Sequence, residues 1–288
     1  MEPFRLSDLF EQARAAQTQD PHRKLAPDRH PNRDFFVADI LDWALKDDRA
    51  SMEHPFFSLS KTPDKRIRHY DYDGKSITIT PSVLGIATIW DKDILIYAIS
   101  QLIEAMNQGR PVSRTVRLKA YDLLVATNRH TGGHDYDLLT FAFERLAGTR
   151  IKTNITTNGH RVREGFGLID NWRIIERVPG SSRMGAVEIV LNEWLYNAIL
   201  GREVLTLNRD YFRLEGGLER RLYELARKHC GLQVNWVIGL DLLHQKTGSA
   251  ASLRQFRQQF KQAAANNLLP DYHLNYVADA DHAVFTRR

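Results

Sequence analysis

Apolar positions recur at helical spacing along Asp91–Gln108 (DKDILIYAISQLIEAMNQ). Ile94, Leu95, Ala98, Leu102, Ile103 and Met106 form one stripe there, and Gly109 ends the run. The same period predicts helices over Tyr121–Thr127, over Tyr136–Ala147 with Asp135 as its cap, and over Asn192–Leu200. Tyr136–Ala147 is apolar nearly all round, with Arg145 its only base, which predicts a buried helix. Alternation of apolar and polar positions predicts strands between Phe56 and Pro81 (FFSLS, RIRHYDY, KSITIT), with Asp73-Gly74 as a turn. It also predicts strands at Thr115–Lys119 and Val187–Leu191. Ile151–Ile155 and Arg161–Ile169 flank Asn158-Gly159, a strong hairpin signal. Phe35–Leu45 is short, apolar and partly helical in period. Residues 1–34, with Pro3, Pro21, Pro27 and Pro31, read as a mobile tail, in which Ser7–Gln17 can form a short amphipathic helix.

The pattern restarts near Arg202–Leu214. Leu218–Cys230 is a helix with Leu218, Leu222 and Leu225 inward, closed by Gly231. A short strand follows around Trp236, then a helix Leu240–Thr247 ended by Gly248. A third helix runs to Ala265, and a hairpin closes the chain from Tyr272–Val277 to Ala283–Arg287. Both halves thus read helix, strand, helix, turn, helix, hairpin. The repeat is one of elements, not of residues. That order predicts an α+β fold of tandem winged-helix domains, each a helix-turn-helix carrying a β-hairpin wing. The expected division is a tail (1–34), a first domain (35–202) and a second domain (203–288), joined near Arg202–Arg213. Pro179–Gly185 reads as a flexible loop inside the first domain rather than a boundary.

The two third helices differ in chemistry. In the second, Leu253, Phe256, Phe260, Ala263 and Ala264 share one stripe, while Arg254, Arg257, Gln258 and Lys261 share a neighbouring face. Ser252 with Gln255 makes a capping-box start, and Asn266, Asn267 and Pro270 stop the helix. No acid occurs in it. A merely solvated helix predicts mixed charge, whereas Arg, Lys and Gln are the side chains that pair with guanine and adenine edges in a major groove. The expected base readers are Arg254 or Arg257, with Gln258 on the same face and Gln255 also expected to contact DNA. Lys261 is mixed in role, and Ser252 lies near a phosphate at the helix start. In the first half the hairpin alternates Arg150, Lys152 and Asn154 with Ile151, Thr153 and Ile155. Arg150, Lys152, Arg161 and Arg163 therefore form a basic face suited to phosphate.

Composition narrows the classes. The chain has 288 residues, 43% hydrophobic and 26% charged, which suits a soluble protein of two domains. Its net charge of +5 points to a polyanion partner. One cysteine, Cys230, excludes an internal disulfide and a cysteine-based zinc site, and fits a reducing cytoplasm. The start, MEPFRLSDLFEQ, lacks the order of a signal peptide, and no apolar run is long enough to span a membrane. Gly74-Lys75-Ser76 resembles the end of a phosphate loop, but position 69 is His where that loop needs Gly. No His-x-His pair is present. His130 and His134 flank a polar Gly-Gly turn. The acid pairs around Tyr72 and Tyr136 sit at a turn and a helix cap, where Asp is expected anyway. No enzyme, cofactor or metal centre is expected. The leucines from Leu218 to Leu232 read as a core element rather than a zipper.

Four stretches resemble the plasmid replication initiator proteins of the replication initiator protein A family. They are Met52–Tyr70 (MEHPFFSLSKTPDKRIRHY), Ile77–Leu102 (ITITPSVLGIATIWDKDILIYAISQL), Gly217–Gly231 (GLERRLYELARKHCG) and Lys246–Lys261 (KTGSAASLRQFRQQFK). The resemblance runs from about Asp34 to Arg288. It implies tandem winged helices that bind repeated sites (iterons) in double-stranded DNA at a plasmid origin, with the carboxy-terminal domain reading sequence. The amino-terminal domain is implied to dimerise and to touch phosphate. It further implies melting of an AT-rich region, recruitment of the host initiator and helicase, and no catalysis. In related families dimers repress and monomers initiate, which bears on plasmid copy control. The expected location is the bacterial cytoplasm, with the plasmid or nucleoid. A winged-helix transcriptional regulator without initiator activity is the alternative reading. An adaptor that binds only protein fits poorly with the basic bias of Leu253–Ala265.

Overall fold

The computed structural model describes residues 24–31, 38–39, 55–72, 75–154, 156–157, 160–161, 164–176, 184–202, 204–231 and 233–288. The predicted helix before Lys24, the Asp73-Gly74 and Asn158-Gly159 turns and most of Phe35–Leu45 and Pro179–Gly185 lie outside them. The chain divides into two compact units: residues 28–212, and residues 213–288 together with 24–27. No helix among the described residues is long and apolar enough to cross a membrane.

In the amino-terminal unit, helix α1 (Lys92–Asn107) is buried over most of its circumference, because Ile96, Tyr97 and Ile99 add to the stripe seen in the sequence. Gly109, at φ +68°, turns the chain out of it in the left-handed region that favours glycine. Strand β4 (Thr115–Leu118) leads to α2 (Ala120–Ala126) and α3 (Gly133–Gly148). Gly132, not Asp135, is the N-cap of α3. Asp135 lies in its first turn, where a carboxylate suits the positive end of the helix dipole. Much later, strands β9 (Ile169–Glu176) and β10 (Met184–Leu191) close on β4 in the order β4-β10-β9. Helix α4 (Glu193–Leu200) follows. Its N-cap, Asn192, accepts from the Leu195 N–H at 2.7 Å, while its amide donates to the Gly167 and Leu168 carbonyls at 3.0 Å each.

Three sequence expectations are corrected here. The hairpin after α3 was expected to be the domain's own wing. Instead β5 (Arg150–Thr153) and β8 (Glu164–Gly167) join β2 (Arg68–Tyr72) and β3 (Lys75–Thr80) in a separate sheet, order β2-β3-β5-β8. The short β6 (Thr156–Thr157) and β7 (His160–Arg161) pair at its tip, so Arg161–Ile169 is not one strand. FFSLS forms no strand either. Phe56 is anchored in the core, Ser58 makes one isolated bridge to Thr88, and the Ser58 hydroxyl takes the Ser60 N–H at 3.2 Å, which turns the chain. Lastly, α3 is not buried all round. Leu139, Ala142, Phe143 and Leu146 face the core, but Leu138 and Phe141 are 42% and 49% exposed.

The β5–β8 pair is held close under α3. A Cβ on Gly167 would lie 2.6 Å from the Ile169 carbonyl oxygen and 2.9 Å from that of Ala147, so only glycine fits. Two-residue strands β1 (Ala38–Asp39) and β11 (Leu205–Thr206) complete this unit.

The carboxy-terminal unit repeats the plan of α1, β4, α2, α3, β9 and β10. Helix α5 (Gly217–His229), strand β12 (Asn235–Gly239), helices α6 (Leu240–Thr247) and α7 (Leu253–Asn266) and hairpin β13 (Tyr272–Val277)–β14 (His282–Arg287) follow one another. The sheet order, β12-β14-β13, again puts the last strand in the middle. Its core is aromatic. Phe260 lies near Phe256, Tyr276 and Phe285, and Tyr223 meets Tyr272 edge-on at 5.9 Å. Leu222 and Leu225 are buried and Leu218 is half-buried. Cys230, at the end of α5, is fully buried, and burial pushes its thiol pKa up. The Ala26 N–H donates to the Arg213 carbonyl at 3.0 Å, tying residues 24–27 to this unit.

Candidate nucleic-acid interface

The start of α7 is built by a reciprocal cap. The Gln255 N–H donates to Ser252 Oγ at 3.3 Å, and the Ser252 N–H donates to Gln255 Oε1 at 3.1 Å. Gly248, at φ +65°, ends α6, and His244 Nε2 reaches the Ala251 carbonyl at 2.8 Å, so the approach to α7 is fixed. Phe256, Phe260 and Ala263 go inward, and Asn267 ends the helix in the left-handed conformation. The first turn holds no acid, and the N–H groups of Leu253 and Arg254 precede the first intrahelical bond. An anion is favoured at such an end.

The predicted base-facing residues fall into two kinds. Arg254 and Gln258 are exposed on the open face. Arg257 and Lys261 are tied to the β13–β14 hairpin. Arg257 Nη2 lies 2.7 Å from Asp281 Oδ2, and Lys261 Nζ sits 4.8 Å from the centre of the Tyr276 ring. The Arg257 hydrogen bond holds the Asp281 carboxyl below its ordinary range. Gln255, expected to contact DNA, has its side-chain oxygen engaged by the cap. Asp281 and Tyr276 were missed by sequence reasoning. The only signal was an acid-rich turn, Asp279–His282, of no specified role.

In the amino-terminal unit, β5 presents Arg150 and Lys152 outward and buries Ile151 and Thr153. Arg150 is paired with Gly167 and Lys152 with Gly165, so no side chain stands opposite either base on that side. Arg150 Nη2 donates to the Gly165 carbonyl at 3.0 Å. Thr78 and Thr80 of β3 pair with Lys152 and Arg150 on the other side. Arg161 lies on β7 opposite Thr156, and Arg163 lies outside the described residues. Helix α3 exposes Asp137 and Glu144 beside Leu138 and Phe141, while its one arginine, Arg145, is committed to Asp91. Among the described residues no group of His, Cys, Asp and Glu is arranged to hold a metal ion.

A three-helix, three-strand unit used twice, once with a capped helix free of acids, defines an α+β protein of repeated plan. Residues 46–274 match the sequence model of the family "Replication initiator protein A". The chain belongs to that family, which implies DNA binding. It is 40% identical over 259 residues to a "Putative replication protein" of Wigglesworthia glossinidia brevipalpis, covering 89% of this chain and 94% of that one. Two crystal structures of RctB domains 2 and 3 share the fold. They superpose with TM-scores of 0.56 and 0.60 at 15% and 14% identity, over 81% of this chain and 95% and 94% of theirs.

Proposed function

We propose that this replication initiator recognises repeated sites (iterons) in the double-stranded DNA of a plasmid origin. Each unit is read as a winged helix, with β9–β10 and β13–β14 as the wings. The carboxy-terminal unit reads sequence through Arg254, Arg257, Gln258 and Lys261 on α7, with Ser252 and Gln255 shaping its start. The amino-terminal unit pairs with a second copy and contacts phosphate through Arg150, Lys152, Arg161 and Arg163. The reading includes melting of the origin and recruitment of the host initiator and helicase, without catalysis by this chain. Its place is the bacterial cytoplasm, on the plasmid.

The observation that carries this reading is the open face of α7, where Arg254 and Gln258 stand exposed on a rigidly capped helix that has no acid. Arginine paired with guanine and glutamine with adenine are directional contacts, each of which discriminates by about 1–3 kcal/mol. The test uses Arg254→Ala and Gln258→Ala in the full chain, measured on duplexes it selects from a random pool and on a mixed duplex. Each change is expected to relax one position of the site. Intact folding with unchanged selected sites refutes the assignment of α7. Replication of a small plasmid carrying the gene beside its repeats separates an initiator from a regulator.

A further inference from the structure

Helix α7 carries no acid of its own, yet one carboxylate reaches it from the β13–β14 turn. Asp281 accepts from Arg257 Nε at 3.0 Å on Oδ1 and 2.9 Å on Oδ2, and from Nη2 at 2.7 Å on Oδ2. A guanidinium has five N–H donors in a planar fork. The carboxylate takes the Nε–H and one Nη2–H. One Nη1 hydrogen and the second Nη2 hydrogen are left at the far end, and the other Nη1 hydrogen points back beside Cδ. Both side chains are 36% exposed, so the pair lies at the surface.

Asp281 itself is pinned from several sides. Its backbone has φ +51°, its N–H donates to the Ala278 carbonyl at 3.3 Å, and its own carbonyl accepts from the Leu240 N–H at 2.9 Å. Leu240 is the first residue of α6. The Tyr276 hydroxyl donates to Oδ1 at 3.0 Å. One residue thus ties the start of α6, the hairpin and the face of α7 together.

We propose that Asp281 is a positioning residue for DNA reading, holding the free end of Arg257 in place for the O6 and N7 edge of one guanine. The inference rests on α7 being the base-contacting helix. Two physical arguments support it. Attraction to phosphate follows net charge, so a carboxylate paired to the guanidinium weakens that mode. Pairing to guanine follows direction, and a held fork keeps its direction. The Arg257 hydrogen bond also keeps the acid below the ordinary carboxylate range, so the pair stays ionic near neutral pH.

The full-length protein and its Asp281→Asn, Arg257→Ala and Arg254→Ala variants each select sites from a pool of random duplexes. Affinity is then measured across salt on the duplex selected by the unaltered protein and on a mixed-sequence duplex of equal length. The selected site should hold one G·C pair that both Asp281→Asn and Arg257→Ala relax. Asp281→Asn should lower specific affinity about tenfold and steepen the salt slope on mixed duplex by about 1, because a full positive charge is released. With Arg257 already Ala, Asp281→Asn should alter the specificity ratio no further. Tyr276→Phe, a milder change, should relax the same position less.

Unchanged base preference in Asp281→Asn overturns the inference. So does an equal loss on both duplexes, or a loss that persists after Arg257 is removed, since either marks a purely structural residue. If Arg254→Ala relaxes the site and Asp281→Asn does not, only this inference fails. If none of the α7 changes relaxes it, the base-reading role of the helix fails.

Discussion

The guanidinium of Arg145 on α3 donates two hydrogen bonds of 2.7 Å each to the carboxylate of Asp91, just ahead of α1. Asp91 is almost wholly buried and also accepts the Thr88 N–H at 2.7 Å. The one arginine of α3 is therefore spent on holding α3 against the start of α1. Removing the acid leaves a half-buried guanidinium unpaired. Arg145→Met strands the almost wholly buried Asp91 carboxylate and should destabilise the amino-terminal unit by about 3 kcal/mol, whereas Asp91→Ala leaves the more exposed guanidinium and should cost less. Urea unfolding followed by tryptophan fluorescence checks this, and equal effects would contradict it.

Two groups set separate pH windows. Asp64 is held well below the ordinary carboxylate value of 3.8, first by the side chain of Arg66 and then, against burial, by that of Arg68. Its contribution is complete above pH 3.8 and is lost as pH falls below that. His273 is lowered from 6.5 by burial and by the charge of Arg288. The unfolded chain therefore takes up that proton first, and stability of the carboxy-terminal unit falls as pH drops below 6.5. His273→Gln should flatten this dependence below pH 6.5, and Asp64→Asn should flatten only the acid limb. Denaturant midpoints across pH give both.

Ser252→Ala removes the acceptor for the Gln255 N–H and should cost about 1 kcal/mol, whereas Ser252→Gly should cost only a few tenths. The backbone N–H at position 252 still holds Gln255 Oε1, so the loss is confined to the hydroxyl's bonds at the start of α7. DNA affinity should then fall more than stability does, which a melting curve and a titration on one sample distinguish.

Exposed Leu138 and Phe141 on α3 are the apolar surface expected at contact between copies of the amino-terminal unit. The free protein should be partly dimeric at micromolar concentration. Phe141→Asp should shift it to monomer in sedimentation runs while leaving the fold intact, because Phe141 is not in the core. A monomer throughout the range removes the dimer but not DNA binding.

Arg150→Ala and Lys152→Ala should weaken selected and mixed duplexes alike, and each should lower the salt slope by about 1. A loss confined to one base-pair position would assign them to bases instead.

Much of the carboxy-terminal unit was legible because its signals are local. The Ser252 cap, Gly248 and the Phe256–Phe260 stripe are each set within one or two turns of chain. The amino-terminal unit was less so. Strand β9 carries Asp170, Asn171 and Arg173 and finds its register only against β10, with bulges that alternation does not predict. The alternation of FFSLS came from anchoring Phe56, not from a ladder. Apolar Leu138 and Phe141 imitate core residues, since hydrophobicity alone does not separate a core position from an exposed one. The commitments of Arg257 and Lys261 depend on Asp281 and Tyr276, which no helical spacing brings near.

Cys230 gives the carboxy-terminal unit a built-in clock. As the sole thiol of the chain, fully buried with its pKa pushed up, it meets a reagent such as a disulfide dye only when the end of α5 opens. The rate of colour development then counts opening events of that unit alone, without an introduced label. Measured with and without a bound duplex, it reads how far breathing of the unit is quieted by occupancy.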